Sequence, residues 1–355
     1  MRAGISARIF IFFIFAIFTA AVPARAGVKL LPPENGVYHS AHPDFGVRDD
    51  LATADRVSAF TDSARKKIVW AYISSHWDDG IKFPSESCMA LADSGVIPLV
   101  GIMPWSELRQ GIPEKRYTLE RILNGDFDRE INSYAKSARD LGFPIMVEFG
   151  PEANGSWFPW SGVWNGRSAD EYGERGVPDG PERFRDAYRH IVEIFRAAGA
   201  LDVTWVFHIS SEAAPNEPWN SARWYYPGDE WVDWIGLSAY GRLRGGEAKP
   251  LENIMRKNYP GMTSISALKP IALLEFGVSE GIDKASWIED ALRLINSGRY
   301  PRLKAVSWWN KIYRADGSRS TLEIDSSLES LEAYREGIKD LIESPRWEVI
   351  DDSGS

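Results

Sequence analysis

The sequence predicts an α/β chain folded as a single (β/α)8 barrel. Three observations carry that expectation. Eight short apolar runs are spaced between residues 36 and 309. Longer segments with helical spacing of apolar residues separate them. Neither a G-x-G-x-x-G nor a Walker sequence occurs, which disfavours the rival doubly wound sheet with its phosphate loop.

The apolar runs are Gly36–Ala41, Ile68–Ser74, Val96–Pro104, Pro144–Gly150, Val203–Ile209, Val232–Ala239, Pro270–Phe276 and Leu303–Trp309. Most are near-continuous, as expected of parallel strands covered on both faces. The clearest helices are Leu119–Leu141 and Pro181–Ala198. In the second, Phe184, Tyr188, Ile191, Ile194 and Phe195 fall on one face, and Pro181 sits where a first turn accepts it. Lys284–Ile295 and Leu328–Leu341 follow the same pattern. Gly142, Gly199 and Gly298 stand just past helix ends, where a left-handed residue is wanted.

The 355 residues are 44% apolar and 26% charged, with a formal net charge of -9. So acidic a chain is a poor binder of nucleic acid, whose phosphates require clustered Lys and Arg. The single cysteine, Cys88, excludes an internal disulfide and any cysteine-based zinc site. Fifteen tryptophans are more than a core hides easily, because each ring N–H wants a partner. Some are therefore expected to line an accessible surface.

Residues 1–26 read as a secretory signal peptide: Arg2 and Arg8, a charge-free run from Ile9 to Val22, then Ala24-Arg25-Ala26. The run is shorter than the ~20 residues that span a bilayer, which argues against an uncleaved anchor. Cleavage removes three arginines and no acid, taking the charge from -9 to -12. The expected organisation is a signal at 1–26, one catalytic domain at 27–342 and a polar tail at 343–355. The mature chain is expected in the periplasm or outside the cell, off the membrane, as a monomer.

Active sites of such barrels lie at the C-terminal ends of the strands. The fourth run leads into Glu148-Phe149-Gly150-Pro151-Glu152, and the seventh ends Leu274-Glu275-Phe276-Gly277. Strands four and seven sit across the ring from one another, so Glu152 and Glu275 can face each other over the barrel mouth. Two opposed carboxylates suit glycosidic bond cleavage, one as proton donor, the other attacking carbon or activating water. A tryptophan-rich rim suits neutral sugars, which offer ring faces and hydroxyls but no charge.

These residues resemble glycoside hydrolase family 26, whose members include β-mannanases, mixed-linkage β-glucanases and β-1,3-xylanases. Glu152-Ala153-Asn154-Gly155-Ser156-Trp157-Phe158-Pro159-Trp160 is similar to the family's acid/base segment. Tyr225 to Gly236 resembles the stretch entering strand six, Ala272 to Gly277 the nucleophile strand, and Trp308-Trp309-Asn310 with Ile324 to Ser327 the final strand and the start of its helix. The resemblance implies retaining hydrolysis without metal or cofactor. Glu152 would be acid then base, and Glu275 the nucleophile. Tyr240 would position Glu275, Trp308 would lie under the sugar at the cleavage point, and Trp157 would line that site. β-1,4-Mannan is the first expected substrate, with mixed-linkage β-glucan or β-1,3-xylan as alternatives. A catalytically weak polysaccharide-binding protein is the rival from another class.

Two positions depart from the family pattern, which has His just before the acid/base and Arg three residues earlier. Here they are Pro151 and Glu148. Glu148 either helps Glu152 serve as an acid through like-charge repulsion or is a buried ion-pair partner. His208, near the end of strand five, touches substrate or is a satisfied core histidine. Trp105 and Trp160 are sugar platforms or packing, as are Trp164 and Trp224. Asp78 and Asp79 beside His76 lack a second His at ligand spacing and are assigned to a solvated loop.

Overall fold

The computed structural model describes residues 26–315 and 318–351. The expected signal peptide lies outside the described residues except for Ala26, which opens the first strand. In chain order the strands are β1 (Ala26–Leu31), β2 (Tyr38–His42), β3 (Trp70–His76), β4 (Ile97–Met103), β5 (Ile145–Phe149), β6 (Val203–Ser210), β7 (Trp234–Arg242), β8 (Ile271–Val278), β9 (Leu303–Trp309), β10 (Ile312–Ala315), β11 (Ser318–Thr321) and β12 (Arg346–Asp351). Strands β2 to β9 close into an eight-stranded barrel in sequence order, every neighbouring pair parallel. These are the eight strands the apolar runs predict.

Alternation along each strand divides the side chains into two packed regions. Tyr38, Trp70, Tyr72, Leu99, Met146, Val206, Trp234 and Ala305 fill the barrel interior. Ile73, Val100, Val147, Phe207, Leu237, Leu273 and Trp308 point outward into the larger core beneath the helices. The helix Asp179–Ala197 buries Phe184, Tyr188, Ile191 and Phe195 there.

Two segments differ from expectation. The single helix expected over Leu119–Leu141 is two, Leu119–Leu123 and Asp128–Arg139. Gly125 between them adopts φ 78°, a left-handed conformation that cannot continue a right-handed helix. The tail expected at 343–355 is structured in part. Residues 346–351 pair antiparallel with β1, and the ribbon lies over the N-terminal end of the barrel. Leu30 joins the interior cluster with Trp347 packed against it, the Trp234 indole donates to the Leu30 carbonyl at 2.8 Å, and the Arg346 N–H donates to the Tyr38 hydroxyl at 2.9 Å. The run Arg-Trp-Glu-Val-Ile-Asp has only weak alternation, and its role depends on a partner more than 300 residues away.

Candidate active site

The C-terminal ends of the strands open into a cleft of about 1330 Å³. Glu152 and Glu275 both line it, with Trp105, Trp157, Tyr240 and Trp309 around them.

Glu152 reaches the cleft through an unusual turn. Strand β5 ends at Phe149, and Gly150 follows at φ 60°. A Cβ there would stand 2.8 Å from Phe184 and 2.9 Å from Trp160, so the position requires glycine twice over. Glu152 itself sits at φ 55°, strained for a residue with a side chain by about 1–2 kcal/mol. Its neighbours hold it there. The Glu152 N–H donates to the His208 carbonyl at 3.1 Å, and the Trp160 indole donates to the Pro151 carbonyl at 2.7 Å. Asn154 exchanges side-chain hydrogen bonds with Ser210 at 2.8 and 2.9 Å, tying the loop to the end of β6. Trp157 then donates its indole N–H to Glu152 Oε2 at 2.6 Å.

Glu275 is aimed by a β-bulge. Leu237 of β7 pairs with Leu273, but Ser238 pairs with Glu275, so Leu274 is an extra residue. Leu274 fills the interior, packed over Gly236, where a Cβ would come within 2.1 Å of it. Strict alternation would turn Glu275 outward; the bulge returns it to the barrel mouth. The Tyr240 hydroxyl donates to Glu275 Oε2 at 2.6 Å. Glu275 has a face on the cleft, yet protein encloses enough of the carboxyl to strip most of its hydration. Burial first, and the charge of Glu152 second, push its pKa up to about 8, against the attraction of His208 and the Tyr240 hydrogen bond.

Beneath the cleft floor, Glu148 and His208 form a buried hydrogen-bonded pair, Oε2 to Nδ1 2.9 Å, and His208 Nε2 meets the Ser238 hydroxyl at 2.8 Å.

The family model for glycosyl hydrolase family 26 matches residues 66–282, more than half of the chain and including both carboxylates. The chain belongs to glycosyl hydrolase family 26. It is 28% identical to endoglucanase H of Acetivibrio thermocellus over 79% of this chain and 29% of that protein. It is 23% identical to the β-1,3-xylanase TXYA of a Vibrio species over 42% of this chain and 29% of that protein. It is 32% identical to a mannan endo-1,4-β-mannosidase of Bifidobacterium adolescentis over 33% of this chain and 11% of that protein. The matched regions thus span less than a third of these curated relatives. The family fold is seen in the catalytic domain of a Bacillus sp. JAMB-750 family 26 endo-β-1,4-mannanase, with TM-score 0.62, 16% identity, and 86% of each chain covered. It is also seen in a family 26 β-mannanase from Bacteroides ovatus, with TM-score 0.60, 14% identity, and 86% of this chain and 89% of that one covered.

Several residues expected at the family 26 site lie elsewhere. Trp308 is fully buried outside the barrel, donating to the Leu322 carbonyl at 2.8 Å and packed edge-on against Phe276 and Tyr334. Its neighbour Trp309 is the ring that lines the cleft, stacked on His42 at 4.1 Å. Ala305 and Trp309 face inward on β9 while Val306 and Trp308 face outward, so the two adjacent indoles necessarily part. Trp160 is buried under Trp105 and Phe158, supporting the loop rather than meeting substrate. Glu148 and His208 are closed off from the cleft by their mutual pairing. Trp164 and Trp224 lie outside the cleft lining.

Trp105 does line the cleft, its indole donating to His76 Nδ1 at 2.9 Å while His76 Nε2 donates to the Arg48 carbonyl at 2.7 Å. Burial lowers the His76 pKa, which fits this neutral tautomer. Asp78, expected to be solvated, is gripped by both terminal nitrogens of Arg48 at 2.8 and 2.9 Å. The sequence reading also missed Asp49 and Lys311. They line the cleft as an ion pair, with Asp49 bonded to His42 at 2.9 Å beneath Trp309. No short-range pattern links residues 262 positions apart.

Proposed function

We propose that this chain is an exported endo-β-glycanase that cuts a neutral hexose polysaccharide with retention of configuration. The observation that carries the proposal is the pair of cleft carboxylates, each on a different strand end and each held by its own donor. In the first step a Glu275 oxygen bonds to the anomeric carbon. The glycosidic C–O bond breaks, and the proton of Glu152 goes to the leaving oxygen. In the second step Glu152 takes a proton from water, the oxygen bonds to the anomeric carbon, and the Glu275–sugar bond breaks. Tyr240 restrains one Glu275 oxygen and leaves the other to attack. Trp157, Trp105 and Trp309 offer ring faces to the sugars, and a preorganised wall of this kind raises the effective concentration of the scissile bond.

A β-glucan stands beside β-mannan as substrate, because the alignment with the relative named endoglucanase H extends over far more of the chain than that with the mannosidase. Export rests on the charge and apolar pattern of residues 1–26. The test is reducing-sugar release from β-mannan, mixed-linkage β-glucan and β-1,3-xylan, with NMR of the first-formed anomer. Release with a β-anomer, lost in Glu152→Gln and Glu275→Gln, supports the proposal. Binding without release on all three favours a carbohydrate-binding role, and an α-anomer rules out double displacement.

A further inference from the structure

Retaining chemistry needs two unlike carboxyl groups, a charged nucleophile and a protonated acid. In this cleft their hydrogen bonds do not tell them apart. Each receives one strong hydrogen bond, Glu152 from Trp157 and Glu275 from Tyr240, both at 2.6 Å. Burial and the charge of Glu152 oppose ionisation of Glu275, and nothing in those two bonds separates the groups enough to overcome it.

The buried pair beneath them is not otherwise used by the reaction. Glu148 is 0% exposed and His208 3% exposed. A lone buried charge is costly, so the two are stable together only as a matched ion pair or both neutral. The ring has an oxygen at each nitrogen, Glu148 Oε2 at 2.9 Å and Ser238 Oγ at 2.8 Å, an arrangement that an imidazolium satisfies with both N–H groups. Ser238 is also the residue that the bulge places opposite Glu275.

We propose that the Glu148–His208 pair is the positioning charge that makes the two cleft carboxylates unequal. Glu148 keeps His208 cationic, and the cation favours the ionised form of Glu275, the nucleophile, against the burial and repulsion that oppose it. This rests on the retaining reading above. The charged groups facing His208 are Glu148 from β5, Glu275 from β8 and Glu152 from the loop after β5, while the Tyr72 hydroxyl on β3 is within reach of Glu148. Burial alone would discharge the ring. Glu148 overcomes that, followed by Glu275 and then Glu152, and the His208 pKa rises to about 9. Through Ser238 the cation stands beside the strand position opposite Glu275. On Glu275, in turn, the attraction of His208 outweighs the repulsion of the more distant Glu148.

Two measurements test this on the full chain. Imidazole 15N NMR should show His208 charged at pH 7 in the wild type and neutral in Glu148→Gln. Its titration should fall further in Glu275→Gln than in Glu152→Gln. In hydrolysis of mixed-linkage β-glucan or β-mannan, the acidic limb of kcat/KM should move up by about one pH unit in Glu148→Gln and His208→Gln, a ten-fold loss on that side of the profile. A loss equal at every pH would mark a structural role and overturn the proposal. So would a charged ring in Glu148→Gln, or a larger response to Glu152→Gln. If neither polymer is cleaved, the NMR order still decides the charge arrangement, while the hydrolase reading fails separately. If Glu148→Gln does not fold, the wild-type ring and the two cleft variants carry the same decision.

Discussion

Glu275→Gln should abolish hydrolysis and also make the folded protein more stable at neutral pH and above. In the fold Glu275 is pushed up to about 8 by its burial and by Glu152, whereas an unfolded chain restores the ordinary value of 4.5. Between those values the folded state holds a proton that the unfolded state has released. The unfolded state binds fewer protons, so stability is present below about 4.5 and is lost as pH rises towards 8. A ten-fold difference in proton affinity between the two states is worth about 1.4 kcal/mol, but water entering the cleft screens the carboxyl, so we expect a loss of only about 1–2 kcal/mol by pH 8. Glutamine is neutral throughout and still offers the Tyr240 hydroxyl an acceptor. The variant should match the wild type near pH 4.5 and exceed it by several degrees at pH 8, at roughly 2–4 °C per kcal/mol. Calorimetry of both proteins at pH 4.5, 6 and 8 reads the difference directly. A gap that does not widen with pH, or a variant less stable at pH 8, refutes the reasoning.

Glu152→Gln should lower kcat on polysaccharide by about 10²–10⁴-fold, yet spare the first step for aryl glycosides whose leaving group needs no proton. A burst of aryl release followed by slow turnover checks it. Tyr240→Phe removes a charge-assisted hydrogen bond worth about 1.5–3 kcal/mol, so kcat/KM should fall ten- to a hundred-fold. The acidic limb should rise with it, because that bond favours ionised Glu275. Trp309→Ala should raise KM by about five- to ten-fold through lost stacking of about 1–1.4 kcal/mol. Trp308→Ala should instead cost about 3–5 kcal/mol of stability, so parallel melting and kinetic assays separate the adjacent rings.

The barrel was legible because parallel strands covered on both faces leave continuous apolar runs, and all eight appear where those runs lie. The two cleft carboxylates were legible from strand-end position and motif. What surrounds them was less so, because it depends on side-chain direction. The outward turn of Trp308 follows from alternation counted back from Trp309. The same count fails at Glu275, where the bulge at Leu274 adds a residue that composition does not announce. Glu148 and His208 lie 60 residues apart and become partners only because β5 and β6 are neighbours in the barrel.

That pairing bears on where activity should set in as pH rises. The family pattern has arginine at position 148, a permanent cation; here a carboxylate and a histidine from the next strand stand in its place. The nucleophile works only once Glu275 has lost its proton, and burial and Glu152 push that group up to about 8 against the pull of His208. The acidic limb of kcat/KM should therefore lie on the alkaline side of neutrality and belong to a carboxyl group. Carboxyl ionisation is nearly athermal, whereas an imidazolium loses its proton more readily as temperature rises. Profiles at two temperatures should therefore leave the acidic limb in place. An acidic limb that slides downward on warming would mean that it reports an imidazole and not Glu275.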